Sequence, residues 1–311
     1  MTESKIDRML LLILRLGAFG CFAGWTWVHF YWEGPYGALL WNDATFELAE
    51  RFGFSWEGFV GSGANDGLVQ KWISGIGWLY LSGCVFTLLV RENSRVLKGC
   101  LIAGSGLLLI LAFAKYLSAQ RQLPMLIEHG GQILSPVLLV MALSLGIRHR
   151  VTVATAIIAC VMTFGGHGAY ALGLIWPTPA NFFGMTTVIL HLDYGAAKLF
   201  LQVAGILDFV VCGALFIPVL RRPAALYAAI WGLITALARP VAGMSLSLNY
   251  WGSDQFLHEV VLRAPHFMIP LFLFFVWRKV EPARADEEAS TSVARNPVGL
   301  LSTFFTDKSK T

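Results

Sequence analysis

Charge is what this sequence has least of. Aspartate, glutamate, lysine and arginine make up 14% of its 311 residues, against about 25% in a soluble domain. Its hydrophobic residues, 56% of the chain, fall in long blocks rather than amphipathic stripes, so the main solvent is lipid. Cysteine is also sparse. Cys21, Cys84, Cys100, Cys160 and Cys212 all lie in apolar segments and no two form a CxxC. That argues against a thiol–disulfide relay and for small packing residues. The sequence has no Walker loop, dinucleotide-binding glycine motif, nucleophile elbow, haem signature or HExxH, so the chemistries those motifs carry have no foothold in it. The net charge of +4 comes from short basic clusters between apolar blocks. Such clusters set membrane orientation and do not make a nucleic-acid-binding stripe. The N-terminal apolar run from Met9 is too long for a signal peptide, contains Arg15 and ends in aromatics. It reads as a retained first helix.

A spanning helix takes about 20 mostly apolar residues. Eight segments qualify: Met9–Phe30, Trp72–Val90, Gly99–Ser118, Met125–Ile147, Val151–Gly173, Leu199–Leu220, Ala224–Leu246 and Val260–Trp277. With eight spans, Lys5 and Arg8, Arg91, Arg95 and Lys98, Arg148 and Arg150, Arg221 and Arg222, and Arg278 and Lys279 all fall on one side. The positive-inside rule then predicts a multi-pass bacterial inner-membrane protein with both termini in the cytoplasm. The opposite connections are longer and poorer in basic residues. The one from Tyr31 to Gln70 carries Glu33, Asp43, Glu47, Glu50, Glu57 and Asp66 against Arg51 alone. Pro35-Tyr36 and Trp176-Pro177 hold matching places in the long outer connections, each of which is expected to turn back as a short interfacial helix. Trp32, Trp41, Trp56, Trp72, Trp176 and Trp251 read mainly as an interfacial belt, with part of the set free to line a pocket for a flat or isoprenoid ligand. The polar stretch 281–311 is expected to be a disordered cytoplasmic tail. Its apolar patch Val298–Phe305 is too short to span and suits the membrane surface.

The chain is self-similar. Phe22-Ala23-Gly24-Trp25 with Pro35 matches Phe164-Gly165-Gly166-His167 with Pro177. Gly75, Gly83, Phe86 and Arg91 match Gly205, Gly213, Phe216 and Arg221, and His129 to Gln132 with Pro136 matches Arg263 to His266 with Pro270. The expected fold is therefore an all-α polytopic bundle of two tandem four-helix repeats, 1–147 and 148–280. An even number of spans per repeat makes the two copies parallel, unlike the inverted repeats of many carriers. The run from Gly24 through Trp25, His29, Pro35 and Trp41 to Asp43, with this layout, resembles the first helix and outer loop of DoxX-like bacterial membrane proteins. It is also similar to vitamin-K-carboxylase-type membrane domains of the HTTM-like kind. DoxX-like proteins are four-helix units, so the resemblance implies a fused pair. It further implies quinone-linked sulfur oxidation or a redox-partner role, and the missing CxxC speaks against a disulfide-based version.

An ionisable side chain at mid-membrane costs about 2.5–3.5 kcal/mol on insertion scales, so it marks a polar helix contact or a site. Asp208 stands in the apolar run GILDFVV of the sixth span. Counted from the outer ends, it falls at a depth similar to His167 and Arg239, and Pro240 beside Arg239 permits a kink. Asp208 and Arg239 read either as a buried pair that fixes helix register or as groups that hold a ligand. The aligned positions in the first half are Trp25, Trp78 and Lys115, so the polar cluster is assigned to the second half and an aromatic wall to the first. Near the outer ends, Glu259, Arg263 and His266 share a helix face, with His258 elsewhere; Glu128 and Gln132 share another, with His129 beside them; His29 and Glu33 are spaced i, i+4. Carboxylates beside imidazoles suit a proton relay. A metal is not assigned, because no paired-histidine spacing supports one.

The leading expectation is a quinone-linked or lipid-active membrane oxidoreductase component with a polar, periplasm-facing cavity. Asp208 and Arg239 would hold the ligand there, while His167, Glu259 and His266 handle protons. Arg263, His29, Glu33, Glu128, His129 and Gln132 would complete substrate binding. Membrane lipid and a quinone or redox partner are the expected associates, and nucleic acid is not. The alternatives are a transporter or binding protein for a small anion or lipid, with Arg239 and Arg263 as counter-charges, and a non-catalytic assembly factor.

Overall fold

The computed structural model describes residues 3–62, 66–244 and 253–278. The tail 281–311, its patch at Val298–Phe305 and Trp251 lie outside the described residues. The described residues from Asp7 to Arg278 form one compact unit. The described residues are helical, with no strand. They include eight helices long and apolar enough to cross a membrane, and the chain is a multi-pass integral membrane protein with an all-α fold.

The first span is α1 (Glu3–Tyr31). The outer connection after it holds three short helices, α2 (Gly37–Leu40), α3 (Asp43–Arg51) and α4 (Trp56–Val60). Asn42 caps α3 by accepting from Thr45 N, and Ser55 caps α4 by accepting from Gly58 N, which satisfies amide groups otherwise left open at helix starts. The second and third spans are α5 (Leu68–Leu89) and α6 (Arg95–Ser118). The fourth span is broken into α7 (Leu123–Ile127) and α8 (Gly130–Leu145), with Glu128 and His129 at the break. The fifth is α9 (Arg150–Leu172), followed by α10 (Ala180–Leu190) in the second outer connection. The sixth and seventh are α11 (Tyr194–Ala214) and α12 (Arg221–Ala242). The eighth is broken as well, into α13 (Leu257–Leu262) and α14 (Ala264–Val276), meeting at Arg263 with Pro265 just beyond.

Both boundaries of the sixth span differ from the sequence expectation for physical reasons. The sixth span begins five residues earlier, at Tyr194, because Asp193 caps it by accepting from Ala196 N. It also ends earlier, in turns before Arg221, where Pro218 has no amide hydrogen to continue the ladder. Arg15, a charge inside an apolar helix, is accounted for: its guanidinium donates to the carbonyls of Thr87, Leu88 and Val90 at the end of α5, where a cation both caps open carbonyls and complements the helix dipole.

One end of the bundle gathers the basic clusters. Arg148 Nε donates to Asp7 at 2.9 Å and Arg148 Nη1 to the Val276 carbonyl at 3.1 Å. Arg221 lies over the Trp277 ring at 4.9 Å, and Lys98 donates to the Leu143 carbonyl at 3.3 Å. The start of α1, the α8–α9 turn, the start of α12 and the end of α14 therefore share a face. At the other end, glycines allow close crossings. A Cβ on Gly24 of α1 would collide with the backbone of Leu262, and one on Gly166 of α9 with the backbone of Glu128. Each first helix of a half is thus pressed against the broken span of the other half, and α9 packs on α7, α8, α11 and α14.

Candidate functional site

The broken spans deliver most of the polar groups. The break at Glu128 sits against Gly166, which brings the carboxylate to the α9 histidine: Glu128 Oε2 lies 3.6 Å from His167 Nδ1, and Oε1 lies 3.8 Å from His129 Nδ1. His129 itself donates from Nδ1 to the Met125 carbonyl at 2.7 Å. From the other broken span, Glu259 accepts from Arg239 Nη1 at 2.6 Å and from Arg263 Nη1 at 2.8 Å. One carboxylate thus bridges two guanidiniums on α12 and at the α13–α14 break. The His266 ring stands 5.4 Å from that of His167, and the Phe182 ring of α10 lies 6.2 Å from it at an interplanar angle of 30°.

Of these groups His167, Phe182, Arg239, Arg263 and His266 line a cavity of about 170 Å³ between α9, α10, α11, α12 and α14, while Glu128, His129 and Glu259 stand behind the lining. That is close to the roughly 150 Å³ that accepts a benzene ring in an engineered apolar cavity. Its apolar wall includes Phe164, Phe182, Met185, Phe200, Leu201 and Trp231; its polar end is His167, Arg239, Arg263 and His266, and Asp208 faces it from α11. Leu190, Phe200 and Ile234, which also line it, are 43%, 37% and 51% exposed. The cavity therefore opens sideways between α10, α11 and α12.

Four buried polar atoms in this lining have no hydrogen-bond partner: His167 Nε2, Asp208 Oδ1, Arg239 Nε and His266 Nδ1. Each such atom left unmet costs about 1–3 kcal/mol, and all four belong to residues that line the cavity. Asp208 is 3% exposed, with its Cβ against Gly168 and Trp231 beside it in the cavity lining.

Several sequence expectations need correction. Asp208 and Arg239 share the cavity but do not pair, because Arg239 is turned to Glu259. Of the first-half residues expected at the site, Glu128 approaches His167 and His129, and Lys115, aligned with Arg239 but given no role, lies within electrostatic reach of Glu128 and Glu259. Lys115 also sits 5.5 Å from the centroid of the Trp25 ring. Gln132 is 3% exposed, and its Oε1 accepts from Trp25 Nε1 at 2.8 Å, so it supports the first-half core and is not among the cavity lining. His29 and Glu33 do not face each other, since α1 ends at Tyr31 and helical spacing no longer applies beyond it. His29 donates from Nδ1 to the Trp25 carbonyl at 2.6 Å and takes the Tyr36 hydroxyl on Nε2 at 3.2 Å; Tyr36 in turn meets Tyr80 at 3.4 Å. Burial pushes the Tyr36 phenol up to about 12, against the opposing pull of the Tyr80 hydrogen bond. Glu33 is exposed and accepts from Gln70 at 3.3 Å. His258 packs near Trp27 and Trp32, away from the cavity as the sequence spacing indicates.

The sequence missed the lateral mouth, the part played by α10 and the contribution of Lys115. Among the described residues no group of three or more His, Cys, Asp or Glu is placed to hold a metal ion. No family model, curated protein or solved structure matches the chain.

Proposed function

We propose that this protein binds a lipid-soluble molecule with a polar head in the cavity between α9 and α12, and exchanges protons with it. The carrying observation is that four residues lining one cavity, His167, Asp208, Arg239 and His266, each keep a buried polar atom without a hydrogen-bond partner, beside exposed apolar lining residues that suit a mouth open to lipid. An apolar molecule enters such a mouth by diffusion within the bilayer, and its polar head satisfies the orphaned groups. The Glu128–His167 contact is the arrangement in which a carboxylate orients an imidazole for proton transfer. Arg239 and Arg263, bridged by Glu259, supply positive potential to an electron-rich oxygen.

A quinone or quinol has these properties, and the resemblance to DoxX-like proteins points the same way. Gathering of the basic clusters at one end supports cytoplasmic termini and an inner-membrane location, with the cavity in the outer half of the bilayer. A second reading, a carrier or binder of an amphipathic anion, draws on the two cavity arginines.

The test is gentle extraction of the wild-type protein and identification of bound lipid-soluble molecules by mass spectrometry. A near-stoichiometric compound with a polar head, lost in a folded Asp208→Asn variant, supports the reading. A protein that carries none and is indifferent to Asp208→Asn in every ligand assay would favour a non-catalytic assembly role.

A further inference from the structure

The cavity of the second half has a counterpart in the first half, and there it is already filled. Two reciprocal contacts establish the correspondence. Gly24 of α1 presses on Leu262 and Gly166 of α9 presses on Glu128; Gly20 of α1 meets Ala264, and Met162 of α9 meets Gly130. The α1 and α9 positions are 142 apart in both pairs, and the broken-span positions are 134 apart in both. Contacts exchanged in this way are what an approximate twofold axis produces. Gly104 of α6, against Phe22, lies 124 positions before Ala228, which clusters with Phe164.

These offsets carry Trp25 to His167, Gln132 to His266 and Lys115 to Arg239. In the first half the three form a closed set. The Trp25 indole is 3% exposed, its N–H donates to Gln132 Oε1 at 2.8 Å, and the Lys115 ammonium lies 5.5 Å from the ring centroid, the geometry of a cation–π contact. In the second half the smaller imidazole of His167 takes the place of the indole. His266 Nδ1 has no partner, the Arg239 Nε has none, and about 170 Å³ stands open beside them.

We propose that the cavity takes a planar ring seated as the Trp25 indole is seated in the first half: its face toward the Arg239 guanidinium and a hydrogen-bonding edge atom on His266. The inference rests on the cavity being a ligand site and adds the ligand's shape, a flat ring bearing an oxygen or N–H edge rather than an acyl chain bearing a charged head. The first half is then a copy of the site closed by its own side chain.

The experiment uses the full-length protein in lipid nanodiscs, titrated calorimetrically with indole and with dodecanoate. Wild type is expected to bind indole. His167→Trp, which gives the second half the side chain found in the first, is expected to weaken indole binding at least tenfold without lowering the melting temperature. Should His167→Trp not fold, Ala238→Leu fills the same space from α12 and is read in the same way. Indole binding unchanged in the filled variant overturns the proposal. Binding of dodecanoate without indole overturns the ring but leaves the ligand site standing. Failure of both probes, with no lipid-soluble molecule bound to the extracted protein, removes the site itself.

Discussion

Arg239 Nη1 reaches Glu259 Oε1 across 2.6 Å, from the last turn of α12 to α13. The same carboxylate holds Arg263 at 2.8 Å. One anion therefore fixes two cations at the edge of the cavity and leaves Asp208, on the facing helix, without a cation among the described residues. The polar end of the cavity is built on that division.

A double-mutant cycle separates the two carboxylates. Arg239 and Glu259 are expected to show a coupling of about 1.5–3 kcal/mol, as groups in one ion-pair network do, whereas Arg239 and Asp208 add within about 0.5 kcal/mol. Unfolding of the reconstituted single and double alanine variants measures both. Strong coupling of Arg239 to Asp208 would mean that the guanidinium turns the other way.

Replacing Glu259 alone strands two partly buried guanidiniums, and Glu259→Gln is expected to destabilise by about 3–5 kcal/mol. Asp208→Leu is expected to do the opposite, because it removes a buried oxygen with no donor and gains about 1–3 kcal/mol, while ligand binding is lost. A site that stabilises when its polar group is deleted is one kept for function. Thermal unfolding beside a ligand titration gives both readings for each variant.

Gly24 and Gly166 are predicted to be intolerant of side chains. Alanine at either is expected to cost at least 1–3 kcal/mol by overpacking, since the obstacle is the backbone of Leu262 or Glu128 rather than a movable side chain. Gly75 and Gly99, with open space around them, are the controls and should accept alanine with little loss.

Tyr36 predicts a response to alkali. Its folded phenol titrates at about 12, while the unfolded chain titrates near 10. The neutral phenol is favoured by the fold, so the contribution is intact below pH ~10 and is lost as pH rises toward 12. Melting curves across that window should be less steep in pH for Tyr36→Phe than for wild type. Equal slopes would place Tyr36 outside the His29–Tyr80 chain.

The eight spans could be read from the sequence because a run of apolar residues is a one-dimensional signal, and the Glu259–Arg263 pair because helical spacing carries as far as the cap of α13 at Arg263. What a chain position does not reveal is azimuth. Asp208 and Arg239 line one cavity, yet which way Arg239 turns depends on where α13 crosses α12, a tertiary fact. The His29–Glu33 pairing failed for a local reason, the end of α1 at Tyr31. Which first-half group meets His167 was not legible either, because it depends on the close crossing of Gly166 with Glu128. The lateral mouth rests on α10, whose apolar run Ala180–Leu190 is too short to be recognised as a span.

The most direct measurement is an experimental structure of the protein extracted with its native lipids and held in a nanodisc. The account predicts non-protein density between α9, α11 and α12, in contact with His266 Nδ1 and the Asp208 carboxyl, reaching the lipid between Leu190 and Ile234. A cavity collapsed around Trp231 with Asp208 drawn onto Arg239 would contradict it.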